Sequence, residues 1–291
     1  MQALIDKAAT LLEALPYIQR FHGETFVVKY GGSFMDSPDP AVRTGVARDI
    51  VFLEAVGINP VVVHGGGKAI SRAMKEEGLN PEFIQGHRVT DEESVNLVDR
   101  VLSDQLNPEI VSTIRELGGE AQGIPGRDIL HCRQKLFQTP EGESYNLGFV
   151  GEITSIDTAP ILSAIENGVT PVVSPTARGH EGHLYNCNAD LVAAELAIAL
   201  KARRLVFMSD VPGLMRDPED LDSLISVLSV ADVAQLKADS VIGTGMIPKI
   251  DSAVGAIEAG VNKVSLVDGR VNHAVLLEIF TDRGVGTQVI P

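Results

Sequence analysis

Twice near the start of the chain a short apolar run stops on glycines. The first is Val27-Val28-Lys29-Tyr30-Gly31-Gly32 and the second Val61-Val62-Val63-His64-Gly65-Gly66-Gly67. Each reads as a buried strand followed by a bend, because glycine turns sharply and leaves backbone N–H groups bare. The intervening residues 41–56 read as a helix closed by Gly57, and 68–77 as a helix closed by Gly78. Strand, helix, strand, helix, with glycines at the strand ends, is the pattern of a parallel sheet with right-handed crossovers. In such a sheet ligands sit at the carboxyl ends of the strands, where both glycine clusters fall.

Composition agrees with a covered parallel sheet. Apolar residues make up 44% of 291, enough for a sizeable core. Aromatics are only 4% and tryptophan is absent, so that core is Val, Ile, Leu and Ala. The net charge of −15 argues against nucleic acid or an anionic membrane as partner, but not against a small anion. Two distant cysteines, Cys132 and Cys187, make neither a metal spacing nor a disulfide framework. A reduced, cytoplasmic chain is the expectation. Asp6, Lys7 and Glu13 interrupt the first turns, leaving no secretory h-region there. The apolar run 191–200 is broken by Glu195 and is too short to span a bilayer.

The remaining elements follow from periodicity. Leu4, Ile5, Ala8, Leu11, Leu12 and Leu15 have helical spacing, predicting a helix over 2–19 with Pro16 late in it. Residues 79–88 read as a loop and Thr90-Asp91-Glu92-Glu93 as a capping box, ahead of helices 91–103 and 107–117. Short strands at 120–124, 129–137 and 146–153 read as hairpins that interrupt the α/β rhythm. Helix 158–167 and strand 169–174 resume it, 176–184 reads as a turn-rich loop, and Asn188 caps a helix to about 200. Strand 205–208, helices near 230–238 and 246–259, strand 263–267, helix 272–280 and strand 286–290 complete the series.

Several side chains stand where the pattern places a ligand. Lys29 supplies a fixed cation at a strand end, and Gly65-Gly66-Gly67 bares a helix N-terminus suited to a carboxylate or phosphate. Arg88 is a loop arginine able to clamp a carboxylate. Asn186-Cys187-Asn188-Ala189-Asp190 puts three short polar side chains where a loop becomes a helix; capping, or ordering a ligand, lysines or a metal, all remain open. Ser209-Asp210 lies at a strand end, and Gly243-Thr244-Gly245 precedes Lys249. No Walker A sequence occurs, and Ile70 stands where the dinucleotide fingerprint needs glycine.

Taken in order, Lys29-Tyr30-Gly31-Gly32, Val63-His64-Gly65-Gly66-Gly67, Gly86-His87-Arg88-Val89-Thr90, Tyr185-Asn186-Cys187-Asn188-Ala189-Asp190, Ser209-Asp210-Val211-Pro212-Gly213 and Gly245-Met246-Ile247-Pro248-Lys249 resemble the amino-acid kinase family, and within it the N-acetylglutamate kinases. The resemblance covers essentially the whole chain. It implies a three-layer αβα sandwich with a mainly parallel sheet and an extra N-terminal helix. The implied division is that helix (1–22), a lobe for the acyl amino acid (23–197) and a lobe for ATP (198–291). It also implies ATP-dependent phosphorylation of the γ-carboxylate of N-acetyl-L-glutamate, with Mg²⁺ carried on the nucleotide. Lys29 and Lys249 would stabilise the transition state and Asp190 would orient them. Gly66, Gly67, Arg88 and Asn186 would bind the acyl amino acid, while Gly31, Gly32, Ser209, Asp210 and Gly245 would meet the nucleotide. Residues 11–21 and the tail 273–287 resemble the arginine-inhibited, hexameric members, a trimer of dimers. Tyr17, His273, Glu278 and Gly284 would then serve L-arginine as effector.

Overall fold

A computed structural model describes residues 1–31, 39–84, 87–138, 144–243 and 245–291. Helix α1 (Gln2–Phe21) runs through Pro16 and buries only its last turn, where Phe21 meets Phe26 edge to face. Strands β1 (Thr25–Tyr30) and β2 (Asn59–His64) pair in parallel across helix α2 (Pro40–Ala55). Helix α3 (Gly67–Glu76) leaves directly from the glycine turn, followed by a two-strand ribbon, β3 (Phe83–Ile84) and β4 (His87–Arg88). Helices α4 (Glu92–Asp99) and α5 (Asn107–Glu116) are joined through a π-helical stretch, Arg100–Leu106. Pro108, which lacks an N–H, stands at the start of α5 directly after this wider stretch.

Strands β5 (Ala121–Ile124), β6 (Leu130–Gln138) and β7 (Ser144–Ile156), helix α6 (Ala159–Glu166), and strands β8 (Thr170–Val173), β9 (Thr176–Gly179) and β10 (Leu184–Asn186) follow. Then come α7 (Ala189–Ala199), β11 (Arg204–Ser209), β12 (Val227–Ser229), α8 (Val233–Ala238), α9 (Ile247–Glu258), β13 (Lys263–Asp268), α10 (Ala274–Ile279) and β14 (Thr287–Ile290). No helix among the described residues is long and apolar enough to cross a membrane.

The central sheet has the order β12-β14-β13-β11-β1-β2-β8-β5. The run from β13 to β5 is parallel throughout; β14 lies antiparallel to β13. Side chains alternate between its faces. Val27, Val61, Leu205 and Phe207 pack one way with α7 and α9, while Val28, Val62, Val206 and Met208 pack the other way with α2, α5 and α10. Both faces are covered, which explains the near-continuous apolar strands. The architecture is the expected three-layer αβα sandwich. Strands β6, β7, β9 and β10 close into a small barrel beside it.

Four local expectations change, the first being that the stretch 79–88, read as a loop, carries the β3–β4 ribbon. Residues 121–124 form no hairpin: β5 joins the main sheet parallel to β8, a pairing made across a long sequence gap. The loop over 176–184 contains β9, which pairs with β10 and β6 to close the barrel. Thr90 is not the cap of α4. Its backbone bonds Leu147 and Phe149 instead, and Asp91 caps the helix by accepting from Ser94 N–H at 2.8 Å.

The Ser94 side chain, together with that backbone bond, holds the Asp91 carboxyl below the usual carboxylate range. A carboxyl depressed by folding stabilises above its unfolded pKa and loses that contribution as pH falls through the folded one. Asp91→Ala is expected to lower the unfolding free energy by about 1 kcal/mol at neutral pH. Glu93→Ala, the other half of the discarded box, should cost less than about 0.5 kcal/mol. Urea denaturation of the two variants tests the assignment; equal losses would restore Thr90 and Glu93 as the cap.

Candidate active site at the carboxyl edge of the sheet

Strand alternation puts Lys29 on the same face as Val27, looking toward α7 and α9. Asn188 caps α7 by accepting from the N–H groups of Asp190 and Leu191, at 2.8 and 3.3 Å. The Asp190 carboxylate is thereby free of capping and turns toward the lysines. Lys29 Nζ lies 3.2 Å from its Oδ1, and Lys249 Nζ, in the first turn of α9, lies 2.7 Å from its Oδ2. Lys249 also sits over the Phe207 ring at 5.1 Å. A carboxylate from one helix thus joins a strand lysine to a lysine of another helix.

The electrostatics follow from burial and this pairing. Burial alone pushes the Asp190 carboxyl up, but the two ammonium groups outweigh it and hold it below the usual range. Burial pushes the Lys249 ammonium down, with Asp190 opposing and Lys29 reinforcing the change. The triad carries two positive charges and one negative, so it presents a net cation to any anion that reaches it.

Beside it opens a cavity of about 250 Å³ lined by Lys29, Gly65–Gly67, Arg88, Asn186 and Asp190, among others. Arg88 is buried; it donates to Gly67 O at 3.1 Å and Ser71 Oγ at 2.8 Å, and stacks on Phe83 at 4.6 Å. Asn186, at the end of β10, reaches Thr90 Oγ1 at 3.5 Å. The turns after β1 and β2 touch: Gly65 N–H donates to Tyr30 O at 2.8 Å, and a side chain on Gly31 would come within 3.1 Å of Gly65 N. Gly66 lies under the π-helical stretch, where an added Cβ would fall 2.5 Å from Leu102 and 2.7 Å from Leu106. Helices α3, α7 and α9 all begin at this edge, so their positive ends converge there.

The structure therefore brings Lys29, Lys249, Asp190, Gly31, Gly66, Gly67, Arg88 and Asn186 to one place. Ser209 ends β11 and Asp210 follows it at the same edge, and the Asp210 charge is felt by Lys249. Gly245 lies in the turn leading into α9. Gly32 and Thr244 lie outside the described residues. The four residues assigned to an effector, Tyr17 in α1 and His273, Glu278 and Gly284 in the tail, are elsewhere. Tyr17 donates its hydroxyl to Asp282 and meets Phe280 edge on. Glu278 is buried and accepts from Ser265 Oγ, Gln288 Nε2 and Val285 N–H; Gly284 turns against its carboxylate. His273 stands at the far end of α10, its Nδ1 on Asp49 at 2.6 Å.

Sequence reading missed Phe83 and Leu102. Phe83 falls in a stretch read as a loop, and Leu102 in a helix where nothing local separates pocket from core. Cys187 lines the cavity, and contact with Cys132 and burial push its thiol up, which suits the buried spacer read for it.

The site is thus an αβα sandwich with a lysine–carboxylate–lysine bridge of net positive charge at its strand ends. The amino acid kinase family profile matches residues 24–268. The acetylglutamate kinase of Carboxydothermus hydrogenoformans is 46% identical, with all of both chains covered. That of Halothermothrix orenii is 45% identical over 100% of this chain and 99% of its own. Among solved structures, N-acetylglutamate synthase from Neisseria gonorrhoeae, complexed with coenzyme A and N-acetyl-glutamate, superposes with a TM-score of 0.80. It is 26% identical over 98% of this chain and 63% of its own. The chain belongs to the amino acid kinase family, among its acetylglutamate kinases.

Removing the bridging carboxylate leaves two largely buried ammonium groups facing each other, with only the more distant Asp210 charge near Lys249. Asp190→Ala is expected to lower the unfolding free energy by about 3 kcal/mol, measured by urea denaturation. A loss below about 0.5 kcal/mol would mean that the lysines re-solvate freely and the bridge is incidental.

Proposed function

We propose that this chain transfers the γ-phosphoryl group of ATP to the γ-carboxylate of N-acetyl-L-glutamate, giving N-acetyl-L-glutamyl 5-phosphate in arginine biosynthesis. The observation that carries the reading is the Lys29–Asp190–Lys249 bridge beside a small pocket walled by Arg88 and Asn186. The whole-length relatives named acetylglutamate kinase support the choice of substrate.

The roles follow from the charges. The acceptor is already a carboxylate, so no general base is needed; the work is positioning and neutralising charge. Arg88 and Asn186 hold the acyl amino acid, with the N–H groups of Gly66 and Gly67 toward its anionic groups. Lys29 faces the attacking side and Lys249 the nucleotide side, and both gain most where negative charge builds on the transferring group. Asp190 keeps them at that spacing. Ser209, Asp210 and Gly245 meet the nucleotide from the lobe 198–291, and Gly31 meets its phosphates from the edge of the acyl-amino-acid lobe 23–197. Among the described residues no group of three or more His, Cys, Asp or Glu is placed to hold a metal. Mg²⁺ would ride on the nucleotide phosphates, screening their charge when bound. The setting is the cytoplasm.

An assay with hydroxylamine trapping of the acyl phosphate, comparing N-acetylglutamate, glutamate, aspartate and carbamate, tests the reaction. N-acetylglutamate is expected to give by far the highest kcat/KM. Lys29→Ala and Lys249→Ala should lower kcat by about 10²–10³ with little change in KM. Arg88→Ala should mainly raise the KM for N-acetylglutamate, by about a hundredfold. Losses confined to binding in the lysine variants would sink their assignment.

The second layer is regulation. The exposed Leu4, Leu11 and Leu12 give α1 an apolar side suited to another subunit, as in a trimer of dimers. L-arginine as effector would sit between α1 and the tail, near Tyr17, Gly284 and His273. Its guanidinium would displace an internal donor from Glu278. Millimolar L-arginine is expected to inhibit the full chain, while a chain lacking residues 1–15 sediments as a smaller assembly and escapes inhibition. An unchanged rate and KM in the full chain would remove this reading.

A further inference from the structure

His64 ends β2 immediately before the glycine turn, yet it faces away from the lysines. Alternation puts Lys29 and Val63 on the α7 and α9 side and His64 with Val62 on the α2 and α5 side. It is fully buried, so it touches no ligand and belongs to no catalytic step. Its two nitrogens are both engaged. Nδ1 lies 2.9 Å from Gly65 O, and Nε2 lies 3.3 Å from Nδ2 of Asn107.

The partners fix the tautomer. A carbonyl oxygen only accepts, so Nδ1 carries the hydrogen; Nε2 then offers its lone pair to the Asn107 amide. Asn107 Nδ2 spends its other hydrogen on Val172 O of β8 at 2.8 Å. The orientation of Asn107 is thereby set by the neighbouring strand, and it stays buried. Burial pushes the His64 pKa down to about 4, which keeps the ring neutral and this donor pattern intact in ordinary buffers.

The consequence lies one atom further on. The Gly65–Gly66 peptide is trans, so its C=O and its N–H point in opposite directions. Holding Gly65 O down toward His64 aims Gly66 N–H the other way. Gly66 has no Cβ to resist a peptide flip, and bare glycine turns rotate freely unless something holds them. Leu102 and Leu106 close over Gly66 from the side, but they are apolar and cannot set the direction of a dipole.

We propose that His64, held by Asn107, is a positioning residue: it locks the Gly65–Gly66 peptide so that Gly66 N–H points into the pocket at the anionic substrate. The chain of contacts runs from Val172 through Asn107 and His64 to Gly65. It ties the aim of the glycine turn to the rigid sheet rather than to the ligand. Part of the cost of ordering the turn is thus met in the free enzyme, which favours binding.

This inference rests on the reading that the pocket takes the acyl amino acid; that reading fails on the wild-type assay, whereas this one fails on the variants. His64→Asn sets an amide N–H near the position of Nδ1 and keeps the bond to Gly65. His64→Gln sets its amide near Nε2 and loses that bond. The KM for N-acetylglutamate is expected to stay within about threefold of wild type in His64→Asn and to rise about tenfold or more in His64→Gln. The KM for ATP should stay within about twofold in both. Melting temperatures are measured alongside. Equal KM values in the two variants, or both substrates' KM rising in step with lost stability, would overturn the proposal. So would failure of both variants to fold, since the pair would then serve the core alone.

Discussion

Two lysines brought to one spot in a half-dry site repel each other, and Asp190 is what lets them stay. It stands 3.2 Å from Lys29 and 2.7 Å from Lys249, on three separate elements. β1 supplies one cation, α9 the other, and α7 the carboxylate between them. Everything else at this edge is arranged around that contact. β11 lies next to β1, so Phe207 becomes the platform under Lys249. Asn188 takes over the capping of α7, so Asp190 need not. The bridge leaves one unit of positive charge uncompensated, and an arriving anion meets that charge already in place.

The fold delivers these groups because all six parallel strands end on the same side. A parallel strand needs a crossover to return, and each crossover helix starts again at the carboxyl edge. The first turns of α3, α7 and α9 therefore meet there without any special device. Glycine turns at two adjacent strands, β1 and β2, remove the side chains that would otherwise fill the gap. The cavity is what remains when the chain must turn twice, tightly, next to a buried ion bridge.

Much of this was legible in the sequence, and the reasons differ by element. β1 and β2 announce themselves because a fully buried parallel strand has few polar residues and must end in a turn. Lys29, Asp190 and Lys249 each stand beside such punctuation, so their place at the edge could be read. Their mutual contact could not, since 161 and 59 residues separate the pairs in the chain. The resemblance to a family supplied that step. The pairing of β5 is not legible, because short strands between turns look the same whether they pair with a neighbour or with β8. Thr90 and Asp91 both favour helix starts, and only the pairing of Thr90 with 147–149 decides between them. His64 reads as part of a glycine motif, but its partner Asn107 lies on a helix whose π-helical lead-in no local pattern signals.

A buried ion bridge is a poor way to make a protein stable. Desolvating three charges costs about as much as their attraction returns, and apolar side chains of like size would hold α7, α9 and β1 together at least as well. The core on this face, Val27, Leu205, Phe207 and Val192, needs no help from it. The bridge therefore has to be understood by what it offers an incoming charge. Water around a free lysine must reorganise before the ammonium can serve a developing anion; lysines fixed by Asp190 and walled by Phe207 have already given up that water. In the proposed reaction, a transferring phosphoryl group, with charge spreading toward both its old and new oxygens, would be matched by two cations held apart at a set spacing. The same carboxylate that weakens each lysine's field also holds them on separate oxygens, Lys29 on Oδ1 and Lys249 on Oδ2. That division of charge, rather than its total, is what the contact preserves.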